Sequence, residues 1–430
     1  MLQKRLSKPT KEQLQWADAE MGVLIHYDIQ VFEPSYQWRG KWGYQPDSTI
    51  FNPSHLNTDQ WIRTAKEAGA KYAILVAKHC SGFCLWPTHA HEYSIKNSPW
   101  REGTGDIVRD FIESCEKYDI RPGLYYSTSA NAYFQVDNPG TVSSGDSEEQ
   151  ERYNQMVMQQ VTELWSHYGR LFEIWFDGGT LPPEKGGPDV TSILRKLQPQ
   201  AICFQGPKEI ASLIRWVGNE DGFAEYPCWS TTEYTADKYG QFSPQYGSGM
   251  VDGKLWAPAE ADVPNRKQQW FWYKDEEGLL LSTDELVECY YKSVGRNCNL
   301  LIGMVVDDRG LVPDADVSQF REFGKEIKSR FENVLSETSG VGHHLTINFQ
   351  IPTILDQIVI MEDIAHGERI REYQIDGLVD GNWKMLCSGE AVGHKRIETF
   401  STVGVTRIRL TVTKSVDIPH IKKFAAFKLK

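Results

Sequence analysis

Short apolar runs alternate with amphipathic stretches over the first three quarters of the chain. The runs at 21–27, 71–77, 120–127 and 171–176 have the length and the β-branched and aromatic content of buried strands. Between such runs apolar residues recur with the period of a helix, as from 107 to 115. This alternation predicts a parallel β-sheet with helices outside it, and enough units precede residue 330 to close a (β/α)₈-like barrel.

Capping signals mark the ends of several of these helices. Asn57 is a plausible N-cap and Gly69 a C-terminal glycine of one helix. Later patterns predict helices at 284–293 and 314–331. The stretch 226–272 is long, aromatic and irregular, and we interpret it as loops over the barrel mouth, because long ordered loops are usually functional.

The pattern changes after about residue 340, where helical spacing gives way to short strands. Residues 406–412 alternate apolar and polar side chains, which is the period of a half-buried strand. The six predicted strands lie at 345–349, 357–361, 370–375, 383–386, 406–412 and 420–427. The sequence therefore predicts an α/β protein with a barrel domain at 1–337 and an all-β sandwich domain at 338–430.

Composition limits the classes of partner. A formal charge of −12 argues against nucleic acid or an anionic membrane surface, since both attract basic patches. No apolar run approaches the roughly 20 residues of a membrane span. Eight cysteines in 430 residues do not make a disulfide scaffold. The 14 Trp and 19 Tyr suit core packing and also suit stacking against sugar faces.

Polar side chains collect where the predicted barrel strands end. They are His26, His79, Tyr125, Asp177 and Glu220. Each has a structural alternative: Asp177 could cap its Gly-Gly turn, and Glu220 could pair with Arg215. Their shared position favours function, because active sites form at the carboxyl ends of parallel barrel strands.

Two carboxylates at a barrel mouth suggest glycoside hydrolysis. A retaining enzyme places a nucleophile and a proton donor about 5 to 5.5 Å apart. Asp177, which ends an apolar strand, suits the nucleophile. Glu220, in a loop near Trp216 and Trp229, suits the acid/base.

Several segments, in order, resemble the α-L-fucosidases of glycoside hydrolase family 29 over residues 14–330. The matching segments are Phe51-Asn52-Pro53, Lys78-His79, Gly82-Phe83-Cys84-Leu85-Trp86-Pro87, Gly123-Leu124-Tyr125, Trp175-Phe176-Asp177-Gly178 and Ser293-Val294-Gly295-Arg296-Asn297. Two more segments resemble the subfamily selective for α-1,3/1,4-linked fucose: Trp216-Val217-Gly218-Asn219-Glu220 and Trp256-Ala257-Pro258-Ala259-Glu260 with Arg266.

The resemblance implies a retaining exo-glycosidase that acts on fucosylated oligosaccharides or glycoconjugates, without metal or cofactor. It implies Asp177 as nucleophile and Glu220 as acid/base. It also implies substrate-binding roles for His26, Trp42, His79, Tyr125, Trp216, Trp256, Glu260 and Arg266, of which the last three lie on the leaving-group side. The C-terminal domain is similar to discoidin-like or carbohydrate-binding modules. The family implies a periplasmic or secreted protein; residues 1–15 are polar and are not a signal peptide, so the protein is cytoplasmic or a leader has been removed.

The sequence departs from the family at the sugar pocket. The usual Lys-His-His-Asp-Gly-Phe run has Cys80 and Ser81 in place of its second His and its Asp, and Lys41 replaces a Glu. These losses leave two alternatives open: a glycosidase for a related sugar such as α-L-galactose, or a catalytically weak carbohydrate-binding protein. A zinc site from Cys80, Cys84, His89 and His91 is a further alternative, but its His spacing fits zinc poorly.

Overall fold

A computed structural model describes residues 6–39, 43–233 and 247–429. The strands before residue 310 are β1 (Met21–His26), β2 (Tyr72–Lys78), β3 (Arg121–Tyr126), β4 (Val136–Asp137), β5 (Thr141–Val142), β6 (Glu173–Trp175), β7 (Ile202–Phe204), β8 (Leu213–Trp216), β9 (Thr231–Thr232), β10 (Leu255–Trp256), β11 (Ala259–Pro264) and β12 (Cys298–Val305). The helices are α1 (Lys11–Ala17), α2 (Thr58–Ala68), α3 (Ile107–Tyr118), α4 (Ser147–His167), α5 (Val190–Leu197), α6 (Thr283–Lys292) and α7 (Asp314–Phe331).

Eight of these strands close into a parallel barrel, which confirms the predicted architecture. Their order around the barrel is β1, β12, β11, β8, β7, β6, β3, β2. Because neighbouring strands run in the same direction, all their carboxyl ends lie at one rim, which we call the mouth. The pairs β4–β5 and β9–β10 form separate two-stranded sheets.

The helices begin and end where the local chemistry predicts. Asn57 accepts a hydrogen bond from the backbone of Gln60 at the start of α2, and Gly69 ends that helix with a φ of 94°. At the start of α3 the Asp106 carboxylate accepts from the backbone of Arg109. Both helices pack against the barrel through buried apolar stripes, as an amphipathic helix requires.

Strand β11 corrects the sequence interpretation, because it lies within 226–272, which we had assigned to loops over the mouth. Its sequence carries Glu260, Asp262 and Pro264, which do not look like a buried strand, yet all six residues are buried. The described parts of 226–256 lie toward the opposite rim, where Ser7 donates to the Gly253 carbonyl. The part of 226–272 that follows β11 reaches the mouth.

The C-terminal domain is one antiparallel sheet of six strands, separate from the barrel. They are β13 (Ser336–Val341), β14 (His344–Glu362), β15 (Ile370–Val379), β16 (Asn382–Glu390), β17 (Arg396–Ser415) and β18 (His420–Phe427), in the order β13, β18, β14, β17, β15, β16. β13 was not predicted, and it begins two residues before the boundary placed at 338.

Two predicted strands of this domain are halves of one long strand. β14 and β17 pair along most of their length, with register breaks between Asn348 and Thr353 and between Leu355 and Gln357. Pro352 lies in the first break, where it interrupts no ladder hydrogen bond. Buried side chains from both halves of β14 share one apolar core, as in a sandwich.

The sheet packs on the barrel through apolar and polar contacts. Phe427 from β18 lies 5.8 Å from the Phe331 ring at the end of α7. The buried Glu368 carboxylate accepts from the Ser230 backbone at 2.9 Å and from the Asn297 amide at 2.6 Å. In the described part of the chain, no helix has the length and apolar character needed to cross a membrane.

Candidate active site

Five of the side chains singled out in the sequence lie at or beside the barrel mouth. His26 ends β1, His79 follows β2, and Tyr125 lies in β3 one residue before its end. Asp177 lies in the turn after β6, and Glu220 lies in the loop after β8. The parallel strands therefore bring together residues that are up to 194 positions apart in the chain.

The Asp177 carboxylate is held by a specific donor. The Tyr125 hydroxyl donates to Asp177 Oδ2 at 2.8 Å. The Tyr125 ring stacks on Trp175 at 5.3 Å between centroids, and Trp175 stacks on Phe204 at 3.9 Å. This stack fixes the hydroxyl in place, so the carboxylate has a defined orientation toward the mouth.

The turn that carries Asp177 is fixed by its backbone. Gly178 and Gly179 have φ values of 70° and 77°, a conformation that glycine adopts without strain. The Ser129 hydroxyl donates to the Asp177 carbonyl at 2.6 Å, and the Gly178 N–H donates to the Gln205 side chain at 2.9 Å. The two glycines therefore turn the chain, and the side chains of Ser129 and Gln205 bind the backbone polar groups of the turn.

Opposing influences act on the ionisation of Asp177. Burial raises the pKa of its carboxyl, the Tyr125 hydrogen bond lowers it, the negative charge of Glu220 raises it, and Arg39 lowers it. The net pKa lies above the usual value for aspartate.

The two histidines form an uncharged, mostly aromatic wall of the mouth. Burial lowers the pKa of His26 to about 3, and burial lowers that of His79 well below its usual value. The Phe271 ring lies 5.1 Å from His26 and 4.9 Å from His79. His79 Nδ1 has no hydrogen-bond partner within the described residues, so a neutral imidazole presents a buried polar atom beside Asp177.

Glu220 is exposed, and its protein contact was not predicted. The Trp270 indole donates to Glu220 Oε2 at 3.1 Å. The same indole ring lies 4.9 Å from the His26 ring, so it joins the glutamate to the aromatic wall. Sequence reasoning missed Trp270 as an individual residue; the aromatic run 270–273 was the available signal. The predicted neighbour Trp216 instead donates its indole N–H to Asp262 at 2.5 Å.

Two cavities adjoin this group. One of about 620 Å³ is lined by Trp38, His79, Trp270 and Phe271, among others. The other, of about 550 Å³, is lined by Glu220, and Gln268 lines both cavities. Glu220 and Trp270, which are hydrogen-bonded to each other, therefore lie where the two cavities meet.

Glu260 is not at the mouth, contrary to the leaving-group role implied by the resemblance. It is the second residue of β11 and is fully buried inside the barrel. Its carboxylate accepts from the Tyr72 hydroxyl at 2.7 Å and from the Trp175 indole at 3.0 Å. The buried carboxyl of Glu173 lies beside it, and burial raises the pKa of both carboxyls. Glu260 thus belongs to an internal network beneath Trp175.

Trp256 lies away from the mouth, whereas Arg266 follows the carboxyl end of β11 but is sealed from solvent. Trp256 precedes β11 at the opposite rim, where it packs on Ala17 and Ile364. Arg266 is fully buried, and its guanidinium contacts the Asp316 carboxylate at 2.7 Å. Neither side chain reaches the two carboxylates, so their predicted contact with a leaving group has no basis in this structure. Trp42 and Lys41 lie outside the described residues.

The two departures from the family motif have protein partners. Cys80 is a buried thiol 3.6 Å from the Ser127 hydroxyl, and burial, followed by the charge of Asp177, raises its pKa to about 12. The Ser81 hydroxyl donates to Asp28 at 2.8 Å, and burial raises the pKa of Asp28 to about 7. A neutral thiol therefore occupies the position next to Asp177 where the family has an imidazole.

The candidate zinc ligands named in the sequence fall into two places. Cys80 lies with His79 and Asp177, and one ligand atom from each lies within 4.8 Å of the others. Cys84 lies 3.7 Å from His91. The backbone of His89 donates elsewhere, to Glu163. The four proposed ligands do not converge on one point.

Known proteins share the sequence and the fold of this chain. A model of the alpha-L-fucosidase family matches residues 3–330. Alpha-L-fucosidase 1 of Arabidopsis thaliana is 31% identical over 465 residues, covering 97% of this chain and 86% of that protein. The solved structure of a putative alpha-L-fucosidase from Bacteroides thetaiotaomicron is 40% identical with a TM-score of 0.91, covering 99% of this chain and 100% of that chain. A Ruminococcus gnavus GH29 fucosidase in complex with fucose is 25% identical with a TM-score of 0.84, covering 98% of this chain and 95% of that chain.

Proposed function

Because this chain belongs to the alpha-L-fucosidase family of glycoside hydrolases, we propose that it releases terminal α-linked L-fucose from glycans with retention of configuration. Asp177 is the nucleophile and Glu220 the acid/base. The observation that carries this assignment is the Asp177 carboxylate, oriented by Tyr125 at the mouth and within electrostatic reach of Glu220. The alternatives of an α-L-galactosidase and a weakly active binding protein are not favoured, since the similar proteins are named as fucosidases.

The first step forms a covalent intermediate. Tyr125 occupies Asp177 Oδ2, and we assign the attack on the anomeric carbon to Oδ1. The bond from that carbon to the leaving oxygen breaks as the Glu220 carboxylic acid gives its proton to that oxygen. The Tyr125 hydrogen bond favours the ionised form of Asp177, which is the form that attacks.

The second step releases the sugar. Glu220, now a carboxylate, takes a proton from a water molecule that attacks the anomeric carbon, and the ester bond to Asp177 breaks. Trp270 donates to one oxygen of Glu220 and leaves the other for proton transfer. Both residues return to their starting states, and two inversions at the same carbon give net retention.

The sugar pocket that we propose is the cavity beside His79. The His79 imidazole lines this cavity and is uncharged, so it can meet a neutral sugar hydroxyl without the cost of desolvating a charge. Trp38 and Phe271 supply ring faces for apolar parts of the sugar. The methyl group of fucose suits such a surface better than the corresponding hydroxymethyl group of L-galactose.

The leaving saccharide then occupies the second cavity. Glu220 must contact the leaving oxygen, and it lines this cavity together with Phe223, Lys267 and Gln268. An α-1,3 or α-1,4 linkage is our proposal for the bond cleaved. Its support is the resemblance of the segment 216–220 to the selective subfamily, since the side chains of Trp256, Glu260 and Arg266 are buried in the protein.

Hydrolysis of defined fucosylated oligosaccharides, followed by NMR, tests the proposal. We expect α-L-fucose as the first-formed anomer, α-1,3- and α-1,4-fucosides to be cleaved in preference to α-1,2- and α-1,6-fucosides, and L-galactosides to be cleaved more slowly. First-formed β-L-fucose would refute retention, and equal rates across linkages would refute the preference.

Variants separate the two carboxylates. Asp177→Ala should abolish turnover of oligosaccharide and aryl substrates alike, because both need the nucleophile. Glu220→Ala should leave the first step unchanged for an aryl fucoside, because its leaving group departs without a proton. Turnover of that substrate should therefore be kept where the first step limits the rate. Glu225→Gln, which changes an exposed carboxylate five residues further along the chain, is the control and should behave as wild type.

A further inference from the structure

Three metal-ligating side chains meet on the C-terminal domain, away from the barrel mouth. Asp363 and His366 flank and end the one-turn 3₁₀ helix Ile364–His366, and His420 is the first residue of β18. One ligand atom from each of the three lies within 4.8 Å of the others. The two imidazole rings are 4.3 Å apart between centroids, and His366 Nε2 is 3.6 Å from Asp363 Oδ2.

The backbone sets the positions of these three residues. The Asp363 N–H donates to the His420 carbonyl at 2.8 Å, and the His366 N–H donates to the Asp363 carbonyl at 3.2 Å. Ile364, between the two ligands, is buried against Trp256 and Ala17 of the barrel. The side chains themselves are partly exposed and can rotate, while the residues that carry them are anchored.

We propose that Asp363, His366 and His420 form a binding site for a divalent transition-metal ion, with Zn²⁺ as the best match. Two imidazole nitrogens and one carboxylate oxygen are a donor set that zinc uses, with solvent in the fourth position. Zinc bonds of about 2.0–2.2 Å put tetrahedral ligand atoms roughly 3.3–3.5 Å apart. The 3.6 Å pair nearly meets this spacing, and the other pairs, within 4.8 Å, require movement of at most about 1.5 Å by partly exposed side chains.

No neighbouring cation takes the place of the metal among the described residues near Asp363. The guanidinium of Arg369, a neighbour in sequence, donates to the Ile418 carbonyl at 2.7 Å and lies 3.6 Å from Asp417. The Asp363 Oδ1 atom accepts from the Ala365 N–H at 3.3 Å, which leaves Oδ2 directed to His366.

The site has a structural role. The ion connects the 3₁₀ helix, which packs on the barrel, to the start of β18 in the sheet. It lies near Trp256, at the rim opposite Asp177 and Glu220, so it takes no part in hydrolysis. Metal binding therefore stabilises the seating of the sheet on the barrel and raises the melting temperature Tm.

Calorimetric titration of the full chain, freed of metal by EDTA and dialysis, tests the site. Zn²⁺ should bind with one ion per chain, and Tm should rise with the logarithm of Zn²⁺ concentration above the dissociation constant. His366→Ala and His420→Ala should each weaken binding by about 100-fold or more, because losing even an outer partner of a ligand costs 10- to 100-fold. Asp363→Asn, which keeps the oxygen that accepts from Ala365, should weaken binding without altering Tm in EDTA.

The control removes a different exposed imidazole. His343→Ala, in the turn before β14, should bind Zn²⁺ as wild type does. Two binding results would overturn the proposal: no saturable binding of Zn²⁺ to the wild type, or unchanged binding in the His366→Ala and His420→Ala proteins. Inhibition of hydrolysis by Zn²⁺ with the same affinity in wild type and in these variants would also overturn it, because the ion would then lie at His79, Cys80 and Asp177. If no saturable binding is found, the three side chains are a surface group of imidazoles and a carboxylate without a metal.

Discussion

The substitution Tyr125→Phe tests how the proposed nucleophile is prepared. It removes the hydroxyl that donates to Asp177 Oδ2 at 2.8 Å and keeps the ring that stacks on Trp175 at 5.3 Å. The packing of the barrel should therefore survive, while the carboxylate loses its donor.

The size of the effect follows from the kind of hydrogen bond that is lost. A bond to a charged group contributes about 1.5–3 kcal/mol. This bond favours the ionised carboxylate, so its loss should raise the pKa of Asp177, which burial already raises, still further. If the bond persists in the transition state, kcat/KM should fall about 10- to 100-fold.

The assay is the pH dependence of kcat/KM on an oligosaccharide substrate. Asp177 must be ionised to attack, so its protonation defines the acidic limb. That limb should therefore move to higher pH in the variant. The pH-independent value of kcat/KM should show how much the rate falls because the ionised Asp177 carboxylate is less well oriented.

The adjacent residue provides a matched control. Tyr126 is equally buried, but its hydroxyl donates to the neutral Gln160 side chain at 2.7 Å, on the helix side of the barrel. Tyr126→Phe should cost about 1 kcal/mol of stability and leave the pH profile unchanged. An unshifted acidic limb in Tyr125→Phe, or equal shifts in both variants, would refute the proposed control of Asp177.

Three further predictions follow from the same structure. Glu220→Gln should lower kcat/KM for an oligosaccharide at least about tenfold more than for an aryl fucoside, because general acid catalysis contributes about 10²–10⁴ where the leaving group needs a proton; equal losses would remove the acid role. Burial raises the pKa of Asp28 to about 7, so the stability that its protonated form contributes is lost as pH rises from about 4 through 7. Calorimetry of Asp28→Asn should therefore show a smaller fall in Tm between pH 5 and 8 than calorimetry of the wild type. An identical fall in both proteins would contradict this prediction. Asp316→Asn should lower the free energy of unfolding by up to about 3–5 kcal/mol by leaving Arg266 without its buried partner, yet leave KM unchanged, whereas a raised KM would restore Arg266 to the leaving-group site.

The sequence predicted the parts of the barrel whose residues match their surroundings. The apolar runs that form β1, β2 and β3 and the capped helix α2 were identified because burial and local propensity agree there. β11 was missed because its carboxylates are accommodated by partners distant in sequence, such as Tyr72 and Trp175 for Glu260. β14 was divided in two because Pro352 is tolerated at a register break that local pattern does not reveal.

The candidate site shows the same division. Strand ends placed His26, His79 and Asp177 at one rim, since parallel topology alone determines that position. Motif resemblance proposed Glu260 and Arg266, but it carried no information on which way their side chains point. Trp270 escaped notice because its importance depends on a loop conformation that brings it 3.1 Å from Glu220.

Covalent labelling of the nucleophile tests the central claim most directly. A 2-deoxy-2-fluoro-L-fucosyl fluoride slows the second step more than the first in a retaining enzyme, so the intermediate accumulates. Mass spectrometry of the digested protein should find the fluorofucosyl group on the peptide that contains Asp177, and on no peptide of the Asp177→Ala variant. A label on another carboxylate would contradict the assignment. So would hydrolysis of the reagent without inactivation of the enzyme and without any labelled peptide.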